Sequence, residues 1–421
     1  MRIHGSKFGI VGNGVHDDSA GLLIALKSNQ QVSLSGLHLR IENPIIVNGI
    51  DTDFIDIDGG DSSLSSITFV GIDAANLAIN GVRTKLSNIT INCSGHQTAN
   101  NAGLHLRHCN GSQLSNLIIN DYDNIGVLLF ECDNVTVSQC RFDNPQSRFD
   151  ADNVGTSIQL AGCSDCSVVS CQSFRSNFNY SVIGKEYTDN AQSGAGEAIT
   201  RPVSETIGNV IQSCSAVDFR GTAFNVNGAN GTVFRGCTAR NQILTTGHPA
   251  FQIKHPLNGL NASHNRFTGC MAQDVYTGFY AQGGSLNSFS NCSTLRTQRF
   301  GFRVNLADNC TITNCIAEQF AILNETNTNG GFVVRQSDYC ILDNCTSTPS
   351  PTCPATAALI SIELDSSHTQ IGNFSAGGNC PTGLIIGSTA ISTKVSDGCK
   401  SAMETAVTPY NNLSSTTEGI E

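Results

Sequence analysis

The sequence predicts an all-β chain wound as a single-stranded parallel β-helix of about 12–13 coils. Three observations carry this: a recurring Cys slot, a recurring Gly-opened strand, and a repeat length suited to strands. The slot is a short alternating apolar strand, a small or amide residue, then Cys. It runs from Val135 to Cys140 and recurs at Cys171, Cys214, Cys237, Cys270, Cys292, Cys315 and Cys345. The steps between these Cys are 31, 43, 23, 33, 22, 23 and 30 residues. Leu117, Ile89 and Ile67 extend the slot backward, and Phe374 and Cys399 extend it forward, to 13 slots. Two-residue alternation in a unit of 22–23 residues is strand-based, since a helical repeat needs about 33 residues and a 3.6-residue period.

The second strand of each unit opens at Gly103, Gly126, Thr156, Thr222, Ala250, Gly278, Gly301 and Gly331. Its apolar residues alternate, so one side of each strand faces the interior. Such a coil cannot bury its apolar face alone, and neighbours must stack. The Cys then form an interior ladder, being small, apolar and tolerant of burial.

Charged residues are 14% of the 421, against a usual share of about 25%, and the formal net charge is −11. With no basic run, nucleic acid and anionic membrane are not expected partners. No apolar run approaches the roughly 20 residues of a membrane span, and no signal peptide is apparent at Met1–Gly14. The 18 Cys are therefore expected to be reduced thiols. Cys163 and Cys166 form a CxxC pair without a second ligand pair, so no metal and no cofactor is expected.

Residues Phe8 to Ser19 read as a Gly turn with an Asp17–Asp18–Ser19 capping group, followed by a short amphipathic helix from Ala20 to Leu26. This opening resembles that of the pectate-lyase-like superfamily, which includes bacteriophage tailspikes and polysaccharide lyases and hydrolases; Asn13 and His16 depart from its usual Asp and Thr. The resemblance implies a right-handed β-helix with a capped N-terminal end. It divides the chain into a cap (1–45), a β-helix (46–400) with an insertion at about 186–206, and a tail (401–421). Asp17 and Asp18 are read as caps before any catalytic role.

The resemblance also places a glycan groove on the outward face of the Gly-opened sheet. Alternation puts His105, Arg107, Gln159, Asn225, Asn227, Gln252, Lys254, Tyr280, Gln282, Arg303, Asn305, Arg335 and Glu363 on that face. Amides and Arg suit sugar hydroxyls and carboxylates. The expected substrate-binding residues are Arg107, Gln159, Asn225, Lys254, His255, Tyr280, Arg303 and Arg335. A solvated solenoid face would also be polar, but cations are scarce in this chain and gather here.

Glycoside hydrolysis needs two carboxylates. Asp152, Glu186 and Asp218 are the leading candidates, with Asp150 beside Asp152; the alternative reading of each is a turn or cap. Glu186 opens the insertion that produces the 43-residue step. A lyase would instead remove the proton α to a uronate carboxylate, using Lys254, His255 or Tyr280 with Arg303 as charge partner.

The resemblance thus implies a tailspike-like depolymerase that hydrolyses a bacterial surface polysaccharide, either capsule or O-antigen. The alternatives are a lyase or epimerase on a uronate-containing glycan, or a non-catalytic glycan-binding or structural β-helix. A homotrimer in a phage tail or baseplate, made in the host cytoplasm, is expected; an extracellular protein is the other location. The short ends suggest a fragment or a spike docked on another protein. Leu128 and Phe130, on the outward face, are expected to form an exposed apolar patch at an interface between chains.

Overall fold

The computed structural model describes residues 2–71, 76–93, 102–122, 124–144, 155–184, 199–200, 207–243, 247–254, 262–322, 329–354, 356–378, 380–403 and 408–412. The chain divides into two compact units, Met1–Val217 and Asp218–Glu421. Both are built from parallel strands stacked coil on coil. The short-strand column holds eight strands in the first unit, from Ile3–His4 to Val210–Gln212. It holds seven in the second, from Val233–Arg235 to Lys394–Val395. Twelve of the 13 slots, Ile67 to Phe374, follow the strands from Phe54–Asp58 to Gln370–Ile371; Cys399, the predicted thirteenth, lies instead in the helix Asp397–Met403. Ile3–His4 and Gln31–Ser33 are two further rungs inside the segment read as a cap.

The residue before each slot explains the sequence pattern. Asn88, Asn116, Gln139, Ser170, Ser213, Asn291, Asn314 and Asn344 all have φ between 52° and 59°. Gly236 and Gly269, at φ 60° and 62°, take the same place. The left-handed conformation favours Gly and Asn, and the amides also ladder between coils. Asn116 Nδ2 donates to Asn88 Oδ1 at 2.7 Å, and Asn344 Nδ2 to Asn314 Oδ1 at 2.6 Å. Ile67 departs from the predicted register. It pairs with Ile91, two positions past Ile89, because a longer turn after Asp58 delays the next strand to Ser66–Phe69.

The slot Cys are free and buried; of all 18, only Cys353 is half-buried. They also serve as donors. Cys292 Sγ donates to Phe267 O at 3.4 Å, and Cys315 Sγ to Phe289 O at 3.5 Å, each on the preceding coil. Burial pushes the Cys109, Cys345 and Cys399 thiols up to about 12, so they are poor nucleophiles. Cys163 and Cys166 likewise donate to backbone carbonyls, of Leu129 (3.3 Å) and Cys132 (3.4 Å).

The opening Gly of the second strand is a matter of space. A Cβ at Gly278 would lie 2.6 Å from Gly301 O on the next coil. Directly behind it, Phe224, Phe251, Phe279, Phe302 and Phe332 form one interior stack, with centroids 4.5–5.0 Å apart and planes within 11°. Phe234, Phe267 and Phe289 form a second stack at 4.7 and 5.6 Å. These rings are fully buried and fix the heights of the strands that carry the outward face.

At the N-terminus the helix is Ser19–Leu26. It is almost wholly apolar rather than amphipathic, with only Ile24 strongly exposed among its large side chains. Asp17 Oδ1 accepts from Ser19 N at 3.0 Å, and Asp18 Oδ1 from Val11 N at 2.8 Å. Asp17 therefore caps the helix, and Asp18 ties the Gly turn to it. At the other end, strand Thr408–Asn412 of the predicted tail pairs with Thr382–Ile386.

Candidate functional site

In the second unit the alternation yields two outward columns. One runs Asn225, Gln252, Tyr280, Arg303, Val333, Ser361. The other runs Asn227, Lys254, Gln282, Asn305, Arg335, Glu363. The parallel register thus brings Asn225, Lys254, Tyr280, Arg303 and Arg335 together on one face. The only carboxylate on these columns is Glu363, whose Oε1 accepts from Ser361 Oγ at 2.8 Å.

The centre of the face is a phenol–guanidinium pair. The Arg303 guanidinium carbon lies 5.1 Å from the Tyr280 ring centroid and 4.9 Å from that of Phe300. Both distances fit cation–π contact. Burial raises the Tyr280 pKa above its usual 10, against the opposing pull of Arg303, Arg335 and a hydrogen bond with Asn305. Burial also lowers the Arg303 pKa, and Arg299 and Arg335 add like charge. Arg303 Nε, Arg335 Nε and Asn227 Oδ1 are buried without a hydrogen-bond partner among the described residues. Buried polar atoms of this kind are normally satisfied.

Sequence reasoning missed the support beneath this pair. Arg299 Nη1 donates to Tyr276 OH at 3.4 Å, and the Arg299 guanidinium stacks 4.7 Å from Phe300. A signal was available: Tyr276 and Arg299 each stand four residues before Tyr280 and Arg303. Buried Gln242 accepts from Tyr276 N at 2.8 Å and donates to Gly221 O at 2.6 Å and His248 O at 2.9 Å. It pins the approach to strand Pro249–Lys254. Burial and the Lys254 charge lower the His248 pKa, which keeps that imidazole neutral at pH 7.

The outward face of the first unit differs from expectation. Its columns run Ala78, His105, Leu128, Gln159, Ser181 and Asn80, Arg107, Phe130, Ala161, Ile183. Arg107 is exposed and lies over Phe130 at 5.4 Å. Gln159 is buried, as is Asn225 in the other unit. Leu128 and Phe130 are fully buried, which corrects the reading of an exposed interface patch. They cluster with Ala161, Ile183 and Ile199, the last contributed by the insertion. Thr200 Oγ1 donates to Glu131 Oε1 at 2.7 Å, and Thr200 N donates to the same oxygen. His108 Nε2 lies 3.8 Å from Glu131 Oε2. Glu131 has φ 48°, a left-handed conformation uncommon for a residue with a long side chain.

Of the predicted carboxylates, Asp150, Asp152 and Glu186 lie outside the described residues, as does His255. Asp218 occupies a left-handed turn at φ 56°. Its N donates to Arg240 O, and its Oδ1 accepts from Asn241 Nδ2 at 3.2 Å. That is the bonding of a turn residue. The structure does not bring Asp218 onto the two outward columns.

A family model described as a right handed beta helix region matches residues 192–376. No curated protein matches the chain by sequence. Three solved structures share its fold at low identity. The pre-mature gene product 12 of bacteriophage phi29 is 10% identical, with 93% of this chain and 67% of that chain covered and a TM-score of 0.59. The surface protein and adhesin PfbA of Streptococcus pneumoniae is 11% identical over 92% and 100% of the two chains, with a TM-score of 0.56. The catalytic unit of a thermostable alpha-1,3-glucanase from Streptomyces thermodiastaticus is 10% identical over 99% and 70%, with a TM-score of 0.55. The fold is a right-handed parallel β-helix.

Proposed function

We propose that this right-handed β-helix acts on an acidic polysaccharide laid along the outward columns of its second unit. One observation carries the reading: the Arg303 guanidinium lies over the rings of Tyr280 and Phe300, and the Nε atoms of Arg303 and Arg335 are buried without a hydrogen-bond partner among the described residues. Guanidinium forks suit the planar carboxylate of a uronate. With that carboxylate neutralised, the adjacent C–H becomes acidic enough for a positioned base. Tyr280 is the base, and Arg303 with Arg335 is the charge partner. Proton loss to the ionised Tyr280 hydroxyl, followed by departure of the 4-linked sugar with its oxygen taking that proton back, gives an unsaturated product. Delivery of a proton from solvent to the opposite face gives an epimer instead, and Tyr280 then loses the proton it took back to solvent.

Hydrolysis is the second reading. It is favoured by the seating of Ile199 and Thr200, part of the long insertion, on the first unit's outward face. In that case Asp150, Asp152, Glu186 and Asp218 remain the candidate acid, base or nucleophile. A phage-tail origin and a bacterial surface glycan as substrate are part of the same proposal, and the fold is shared with a protein of bacteriophage phi29. A three-chain assembly rests on fold likeness alone, since Leu128 and Phe130 are covered by their own chain.

Incubation with a panel of bacterial acidic polysaccharides tests the proposal. Products absorbing in the ultraviolet, or epimerised uronates without cleavage, support proton abstraction. Products heavier by one water place the chain with the hydrolases. Binding without any product would leave a glycan-binding protein and overturn the enzymatic reading.

A further inference from the structure

A separate recess lies in the first unit, on the short-strand column rather than the column that bears Arg107. The interior residues of that column are Val32, Ile57, Leu86 and Leu114, all buried. Their neighbours Gln31, Asp56, Lys85 and Gln113 stand side by side on four rungs facing outward, and Phe54 pairs with Arg83. These six residues line an open cleft of about 200 Å³.

Asp56 marks the cleft as more than a solvated face. It is only 8% exposed, and its Oδ1 is buried without a hydrogen-bond partner among the described residues. Asp58, two residues on, shows the satisfied case. It accepts from Asn88 Nδ2 at 2.6 Å, Ser87 Oγ at 3.0 Å and Gly60 N at 3.2 Å. A buried carboxylate oxygen that lacks such donors calls for one from a ligand. Around it stand a partly exposed aromatic ring, Phe54, and two exposed cations, Arg83 and Lys85.

We infer that this cleft binds a single anionic sugar residue. The apolar face of the ring rests on Phe54, a hydroxyl donates to Asp56 Oδ1, and the sugar carboxylate lies between Arg83 and Lys85. Gln31 and Gln113 reach the remaining hydroxyls. A drug-sized ligand needs upward of roughly 300 Å³, so a cleft of this size holds one ring of a chain. The site is a non-catalytic anchor and does not depend on the reaction proposed for the other unit.

The test is a titration of the full chain with D-glucuronate, read by saturation-transfer difference NMR, in an Arg303→Ala background that disables the proposed stripe. Saturable binding is expected. Phe54→Ala and Lys85→Ala should each weaken it by about tenfold or more, the scale of one charged or stacking contact. Asp56→Ala should do the same; its burial puts folding at risk, so the two exposed variants decide the matter if it fails to fold. D-Glucose should bind more weakly. Three results overturn the assignment: no binding in that background, binding untouched by Phe54→Ala and Lys85→Ala, or displacement by equimolar sulfate, which would mark a plain anion site. The reverse experiment, titration of the Phe54→Ala variant with Arg303 intact, reads the stripe alone, so failure of one site is not confused with failure of the other.

Discussion

The guanidinium of Arg303 sits over the ring of Tyr280, 5.1 Å from its centre, on the adjoining coil. The pair depends on register, because positions 280 and 303 are cross-strand partners in a parallel ladder. It sets a cation and a titratable hydroxyl on one patch of an acidic chain.

Arg303→Ala should weaken binding of a uronate polymer by about 1.5–3 kcal/mol, the usual worth of a hydrogen bond to a charged group. Calorimetric titration at low and high salt checks it. The loss should shrink near 1 M salt, where the screening length falls to about 3 Å. Arg303→Lys should not restore affinity, because an ammonium cannot copy the planar fork. Equal affinities for all three proteins would remove Arg303 from the site.

The hydroxyl of Tyr280 carries a pH prediction. Burial holds its pKa above the usual 10, so the neutral phenol dominates at pH 7. A base must be ionised, so kcat/KM should climb as pH rises toward that raised value, and Tyr280→Phe should abolish the climb. The substitution keeps the ring under Arg303, so affinity should change little while kcat falls by about 10²–10⁴. A pH profile unchanged in Tyr280→Phe would assign the proton transfer elsewhere.

Much of this was legible in the sequence. Period-two alternation around Phe279 and Phe302 was enough to send Tyr280 and Arg303 outward, and stacking of like units was enough to make them neighbours. The supporting contacts were not legible. Whether Arg299 reaches Tyr276 or Gln242 reaches His248 depends on side-chain reach across coils, which alternation does not encode. Nor did alternation reveal that Leu128 is covered, since its cover, Ile199, lies far along the chain in an insertion without repeat character. Ile67 was misplaced because one lengthened turn shifts register while leaving the local pattern intact.

The interior Phe stack should dominate the stability of the second unit. Phe279 touches Phe251 at 4.5 Å and Phe302 at 4.9 Å. Phe279→Ala should cost about 3–5 kcal/mol, measured as a shift in denaturant midpoint. Phe279→Leu should cost less, since it retains most of the volume. A small loss in the Ala variant would mean that the coil collapses readily into the gap.

The thiols should be silent toward a soluble disulfide reagent. Only Cys353 is half-buried, so native protein should show about one reactive thiol per chain, and denatured protein all 18. Cys292→Ala should destabilise by about 1–3 kcal/mol, because it leaves the Phe267 carbonyl without its thiol donor and opens a gap. Cys292→Ser should cost less, since a hydroxyl can donate to the same carbonyl. A larger loss in the Ser variant than in the Ala variant would show that the column tolerates only apolar groups.

The last prediction concerns the cover on the first unit. Thr200 donates from both its backbone and its hydroxyl to one oxygen of buried Glu131, and Ile199 lies against Leu128 and Phe130 beside it. Removing the acceptor should release this contact while leaving the ladder of strand Ile125–Phe130 intact, because that ladder is made by backbone pairing on both sides. Glu131→Ala should therefore raise binding of a hydrophobic dye, and light scattering should show association through the uncovered apolar face. Thr200→Ala should give a weaker form of the same result, since the backbone donor remains. Hydrogen exchange separates this from unfolding: the amides of Ile125–Phe130 should stay protected in both variants. Loss of that protection would make Glu131 a residue that holds the coil itself, and unchanged dye binding with intact strands would mean that the cover is held by other contacts.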